Sequence, residues 1–245
     1  MPPVIGAVVA AAGALIVGAE VGAAVAIFAL TLVAGYLTPT PDMPDYSVES
    51  RDRNQVVRSS VAPRRNIYGE MVSSGPLVFA ASTEENKYLH LVIPLAGHEC
   101  EAIRSVYLSD QEVTEAMLDG SGNCTSGRYS GKLRIKKHLG ADDQAADTDL
   151  VSEVDNWTTD HRLRSVCYIY VRLEFDRDVY PNGIPNFKAV VRGKKVFDTR
   201  DSGTRWTKNP ALIARDYLLS SDGIGCASTE INDTTVTAAA NICDE

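Results

Sequence analysis

Val166-Cys167-Tyr168-Ile169-Tyr170-Val171-Arg172-Leu173-Glu174-Phe175 is the strongest strand signal in the chain. Its β-branched and aromatic side chains suit a pleated, half-buried surface better than a helix face. Read alone, it is an edge strand whose open backbone groups need a partner surface. Downstream, Tyr180-Pro181-Asn182-Gly183-Ile184-Pro185 breaks the chain. Phe187–Arg192 and Lys195–Asp198 then read as a strand pair joined tightly at Gly193-Lys194. Asn209-Pro210 opens a helix, because Asn accepts from the first free amides and Pro has no N–H to leave unpaired. Leu212, Ile213, Tyr217 and Leu218 form its expected buried face, and Gly223 and Gly225 mark its end. Asn232 or Asp233 caps a last helix running through Ile242.

Upstream of the quoted run, the residues from 142 to 160 are polar, with one short helix placing Leu150, Val154 and Trp157 on one face. Lys132–Leu139 and Ala102–Leu108 alternate apolar and polar residues, as half-buried strands do. The second turns through Ser109-Asp110-Gln111 into a short partner, and Asp119-Gly120-Ser121-Gly122-Asn123 is a further turn. Tyr88–Leu95 is a strand. Ile67–Met71 and Leu77–Ala81 flank Ser73-Ser74-Gly75-Pro76, which reads as a hairpin turn. The fold class expected is therefore α+β: an antiparallel, β-rich domain with peripheral helices.

The N-terminus is of another kind. From Val4 to Leu37 the residues are apolar or small except Glu20 and Thr31, and no Lys or Arg precedes Arg51. A secretory signal needs a positive start and a short apolar core, so this is not one. The segment is long enough to cross a bilayer as a helix. Gly18 and Gly22, extended by Ala14 and Ala26, also set small residues four apart, which lets helix backbones approach closely. Packing within an assembly and insertion in a membrane both satisfy this composition; an exposed single helix does not. Pro39, Pro41 and Pro44 end the helix. The expected organisation is an apolar helix over 1–38, a Pro-rich and charged arm over 39–64, and a β-rich domain over 65–245. Within that domain, 99–164 is read as an insertion, with helices over about 209–220 and 232–243.

With 32 acidic and 24 basic residues the net charge is -8, which argues against a general or sequence-specific nucleic-acid binder. The basic runs Arg51–Arg65, Lys132–Lys137 and Arg192–Lys195 are short and read as solvated strand edges. Five widely spaced cysteines, Cys100, Cys124, Cys167, Cys226 and Cys243, are an odd number and read as reduced, mostly buried thiols. His98-Glu99-Cys100 lacks a second ligand pair at a metal-site spacing, and His90 reads as a satisfied structural histidine. Asp142, Asp143, Asp147, Asp149 and Glu153 lack the ligand periodicity of a calcium loop and read as a solvated loop. No phosphate loop or nucleophile elbow is present. The expectation is a non-enzyme with no catalytic residue, no cofactor and no metal.

Two stretches carry a family likeness. One contains Arg65-Asn66-Ile67-Tyr68-Gly69-Glu70, Ser74-Gly75-Pro76-Leu77-Val78-Phe79 and Asn86-Lys87-Tyr88-Leu89-His90-Leu91-Val92-Ile93-Pro94-Leu95-Ala96-Gly97-His98-Glu99. The other is Pro185-Asn186-Phe187-Lys188-Ala189-Val190-Val191-Arg192-Gly193-Lys194-Lys195-Val196-Phe197-Asp198, continuing through Trp206, Asn209-Pro210-Ala211 and Tyr217-Leu218. In order and wording they resemble the opening part of the tail-tip hub protein J family of lambda-like siphophages. The resemblance implies a virion structural protein of the baseplate-like tail tip, made in the host cytoplasm. There a homotrimer closes the distal tail tube and serves assembly, host attachment and triggering of DNA ejection. It further implies the distal tail protein, other tail-tip proteins and the tape-measure protein as partners. Members are several times longer, so the chain is expected to be a fragment or one half of a split hub. The partner-contact residues expected are Gly18, Glu20 and Gly22 in the leader, Arg51, Arg53, Arg64 and Arg65 in the arm, and Gly193 and Lys194 in the hairpin. In the trimer, three leaders would bundle and plug the channel. The rival is a membrane-anchored accessory protein using residues 4–37 as a transmembrane helix and host-membrane contact. A cell-wall hydrolase would need a carboxylate or zinc constellation that the sequence does not offer.

Overall fold

Alternation along each strand sorts the side chains of this protein into layers. The computed structural model describes residues 64–245, which carry two four-stranded antiparallel sheets and one two-stranded ribbon. The leader, most of the arm, and with them Gly18, Glu20, Gly22, Arg51 and Arg53, lie outside the described residues. Among the described residues no helix is long and apolar enough to cross a membrane.

The first sheet has the order β1 (Glu70–Ser73), β8 (Phe187–Arg192), β4 (Ala102–Leu108), β5 (Gln111–Val113). The second runs β2 (Phe79–Thr83), β3 (Tyr88–Ala96), β7 (Cys167–Glu174), β6 (Leu133–His138). Leu91, Ile93, Ile169, Val171, Leu133 and Ile135 from the second sheet meet Ile103, Val106, Leu108, Ala189 and Val191 from the first in one core. Burying each large aliphatic side chain of this set contributes about 1.5–3 kcal/mol relative to exposure. The opposite face of the second sheet is also buried. Val92, Tyr168 and Tyr170 pack there on Leu150, Val154 and Trp157, supplied by α1 (Thr148–Glu153) and the turn after it.

The remaining elements form a third cluster. β9 (Val196–Asp198) pairs with β10 (Gly203–Arg205), and Val196 packs with Leu212 of α2 (Pro210–Leu219) and Ala240 of α3 (Asp233–Cys243). Asn209 caps α2 as expected, with Pro210 in the first turn. It also donates from Nδ2 to the carbonyl of Ala240 at 2.8 Å, which ties the two helices together. Asn232 caps α3.

Five expectations are corrected. Val166–Phe175 is not an edge strand: β7 pairs with β3 on one side and β6 on the other, which is why its apolar residues are buried on both faces. Ser73–Pro76 is not a hairpin turn, because β1 pairs with β8 and β2 with β3, so the connection crosses between sheets. Gly75 makes that crossing possible, since a Cβ there would stand 1.6 Å from the carbonyl oxygen of Pro94. Phe187–Arg192 and Val196–Asp198 do not pair with each other either. The chain leaves β8 at Gly193 because the backbone at Ile67 and Gly69 takes over: the Gly193 amide donates to Gly69 and the Lys194 amide to Ile67. Tyr217 is 44% exposed rather than buried, because α2 packs mainly through Leu212. The acidic stretch is a solvated loop only at Asp142 and Asp143, which are exposed. Asp147 is buried, bonding His138 and capping α1, while Asp149 and Glu153 pair with basic residues of the sheet.

Residues 99–164 supply β4 and β5 to the first sheet and β6 to the second. The outer edge of β6 is met by the turn at Gly122–Cys124, whose backbone bonds Leu133 and Ile135.

Candidate functional site

The site is built where the start of the described chain meets the segment after β8. Arg65 accepts from the Gly97 amide at 2.9 Å through its carbonyl, and its guanidinium reaches the carbonyl of Ser74. Two residues on, the Ile67 amide donates to His98 Nε2 at 2.8 Å, and the Ile67 carbonyl receives the Lys194 amide at 2.8 Å. Gly69 accepts both the Gly193 amide and Trp206 Nε1, the latter at 3.0 Å. Tyr68 donates to Asp216 at 2.6 Å and Lys194 Nζ reaches the same carboxylate at 2.7 Å. Burial and the Asp216 charge push the Tyr68 phenol well above its ordinary value, so it stays a hydrogen-bond donor.

Four expected contact residues lie within the described part. Arg64 and Arg65 are exposed on this strip, where a Cβ on Gly97 would crowd the Arg64 side chain. Gly193 is buried, with room for no side chain: its Cβ would lie 1.9 Å from the Ile67 carbonyl. Lys194 is half-buried and spent on Asp216. Arg64 and Arg65 therefore face outward, whereas Gly193 and Lys194 hold the junction together from within.

Sequence reading missed the surface beside this junction. β1 is the outermost strand of its sheet, and Met71 and Val72 on it are 49% and 58% exposed, with Val78 just beyond at 49%. Natural edge strands are blunted by charge, proline or bulges. β1 carries one charge, Glu70, which is engaged by Arg192 at 2.8 Å and lies 3.6 Å from Lys208. Exposure of the paired edge is not encoded in the four residues of β1, so only the sheet order reveals it.

The other expected chemistry is structural. His90 is buried, with Nδ1 2.9 Å from Tyr170 Oη and Nε2 2.8 Å from Thr83 Oγ1. His98 and Cys100 lie just past the end of β3, with Sγ 3.9 Å from Nδ1. The neighbouring Cys167 thiol and the His98 ring draw the Cys100 thiol down to about 6, against the opposing effect of burial. Cys100 itself is only 1% exposed. Among the described residues no group of three or more His, Cys, Asp or Glu is placed to hold a metal ion. The two later basic runs meet acidic partners: Lys132 pairs with Glu174 and Asp176, Arg134 with Asp149 and Glu153, and Lys195 lies beside Glu99 and Glu101.

No protein-family model matches this sequence. No curated protein matches it either. Among solved structures, the chain is similar to a chain of the virion of a native gene transfer agent particle, at 18% identity and a TM-score of 0.37. The similarity covers 69% of this chain, which spans 41% of that one.

Proposed function

We propose that this chain is a non-catalytic virion structural protein, the opening part of a tail-tip hub that helps to close the distal end of the tail tube. The observation that carries the reading is that the two stretches resembling the hub family are one piece of the fold. They are far apart in sequence, yet β1 pairs with β8 along its whole length. Gly69, Tyr68 and Ile67 of the first stretch bond Trp206, Asp216 and Lys194 of the second. A likeness spread by chance over two segments has no reason to converge on a single packed unit. The open edge of β1, with Met71, Val72 and Val78 exposed, supplies the assembly surface such a role requires.

In this reading the copies form a homotrimer that contacts the distal tail protein, other tail-tip proteins and the tape-measure protein. The protein resides in the tail tip of the virion. The test is electron cryomicroscopy of particles carrying wild-type chain or the Met71→Lys/Val72→Lys double variant. Three copies at the tube's distal end, lost with the double variant while the isolated chain melts unchanged, support the reading. A chain absent from particles and retained by membranes after a carbonate wash overturns it. The membrane-anchored accessory protein would then stand in its place.

A further inference from the structure

The connection between β6 and β7 is far longer than its job demands. The two strands are antiparallel neighbours, which a hairpin loop of about two to five residues can join. Here the chain from 139 to 166 leaves the sheet edge and folds back across the sheet's outer face. A connection of this length between paired neighbouring strands is uncommon in a packed domain.

The contact between this connection and the sheet is sorted by charge. The sheet presents His90, Arg134, Lys136, His138 and Arg172, with the phenols of Tyr168 and Tyr170 between them. The connection presents Asp147, Asp149 and Glu153. Asp147 meets His138 at 2.7 Å, Asp149 meets Arg134 at 2.9 Å and Lys136 at 2.7 Å, and Glu153 meets Arg134 at 2.7 Å and Arg172 at 3.0 Å. These charged side chains are partly exposed, apart from the buried Asp147, so the seam is far more polar than the mainly apolar core between the two sheets.

The seam is also imperfect. Among the described residues Trp157 Nε1 and Tyr168 Oη are buried in it without a hydrogen-bond partner, and each such atom weakens the closed arrangement. The connection also carries an open surface cleft of about 410 Å³ lined entirely by its own residues, among them Gln144, Thr148, Val151, Thr159 and Arg162. Left-handed backbone stands at both stems. Gly140 has φ +88°, with a Cβ position 2.8 Å from the Cys167 amide, and Leu163 and Ser165 have φ 48° and 56°. Bulky residues such as Leu take that conformation only where the surroundings force it. Gln144 ties the stems, accepting from the Gly140 amide and donating to the carbonyls of Arg162 and Leu163.

We propose that residues 141–165 are a hinged flap, clamped by acid–base pairs, that lifts from the outer face of β3–β7–β6 as a unit while the sandwich stays folded. Opening relaxes Leu163 and Ser165, lets Trp157 and Tyr168 bond water, and uncovers a basic and aromatic sheet face. Native-state hydrogen exchange of the full chain tests this directly. The Val151, Val154 and Trp157 amides, bonded within the flap, are expected to exchange at least about ten-fold faster than those of β3 and β7, in a separate cooperative unit. Asp149→Asn/Glu153→Gln is expected to speed the flap amides by about a further ten-fold and leave β3 and β7 unchanged. If flap and sheet amides exchange at one common rate in the wild type, the flap opens only with global unfolding and the proposal fails. The wild-type comparison decides this even if the double variant does not fold.

Discussion

Ser73 Oγ donates a 3.0 Å hydrogen bond to the carbonyl of Leu95, joining the last residue of an edge strand in one sheet to a core strand of the other. The bond is buried, and it forms where the chain crosses between the sheets. It shows how this sandwich is closed on its β1–β2 side: by a polar clasp beneath an open apolar edge. Stability and assembly are thereby separable, which gives the predictions below their form.

The Gly193 amide donates directly to the Gly69 carbonyl at 2.8 Å, yet the two are glycines for opposite reasons. Gly193→Ala places a methyl 1.9 Å from the Ile67 carbonyl, and is expected to lose roughly 3 kcal/mol or more, the upper range for overpacking. Gly69 has φ +61° with nothing near its Cβ position. Gly69→Ala is expected to cost only about 1 kcal/mol, the left-handed penalty alone. Urea unfolding of both variants measures the difference; equal losses would refute the packed-junction account.

Asn209 serves two ends at once. Its Oδ1 caps α2 at the amides of Ala211 and Leu212, and its Nδ2 donates to Ala240 and Asp244. Asn209→Ala is expected to lose about 1 kcal/mol for the cap, plus roughly 1–3 kcal/mol for the buried carbonyl left unpaired. Asn209→Asp keeps the cap, loses the donor and sets a carboxylate against Asp244. Thermal melts should therefore rank wild type above both variants, and a silent Asn209→Asp would show that the Ala240 contact contributes nothing.

Acid is expected to destabilise the protein in two stages. Burial holds the His90 imidazole below its ordinary value of 6.5, with Glu153 opposing. The unfolded chain therefore takes up that proton first, and stability starts to fall as pH drops below about 6.5. Glu153 and Asp147 are held below their ordinary 4.5 and 3.8 by Arg134, Arg172 and His138, against the cost of burial. Their contribution is present above those values and is lost as pH falls further through the folded ones. Urea midpoints measured from pH 7.5 to 3 should decline in both windows. His90→Gln should flatten the upper one alone, and an unchanged slope there would remove His90 from the account.

Thiol reactivity should split by burial. Cys243 is exposed and Cys226 half-exposed, whereas Cys100, Cys124 and Cys167 are buried. Native protein treated with a thiol-specific chromogenic reagent should release two equivalents quickly and the remaining three only on unfolding. Fast reaction at Cys100 would mean that the core around β3 and β7 opens far more readily than its burial allows.

The sequence by itself determined the local elements. Period-two alternation placed β4 and β6, an apolar run placed β3, Asn-Pro and Asn-Asp marked the starts of α2 and α3, and Ser109-Asp110 marked the β4–β5 turn. These are legible because each depends on neighbours within a few residues. Pairing was another matter. The two segments read as hairpins across Gly75 and Gly193 part company because β1 and β8 find each other far along the chain, while β2 and β9 pair forward with the next strands, β3 and β10. The same Gly-containing turn chemistry serves a hairpin or a crossing between sheets. Asp147, Asp149 and Glu153 looked like a wet acidic loop for the same reason: nothing local announces that Arg134, His138 and Arg172 will stand opposite. Tertiary structure alone decided which edges stay open and which charges are matched, because both depend on contacts between residues that the chain holds far apart.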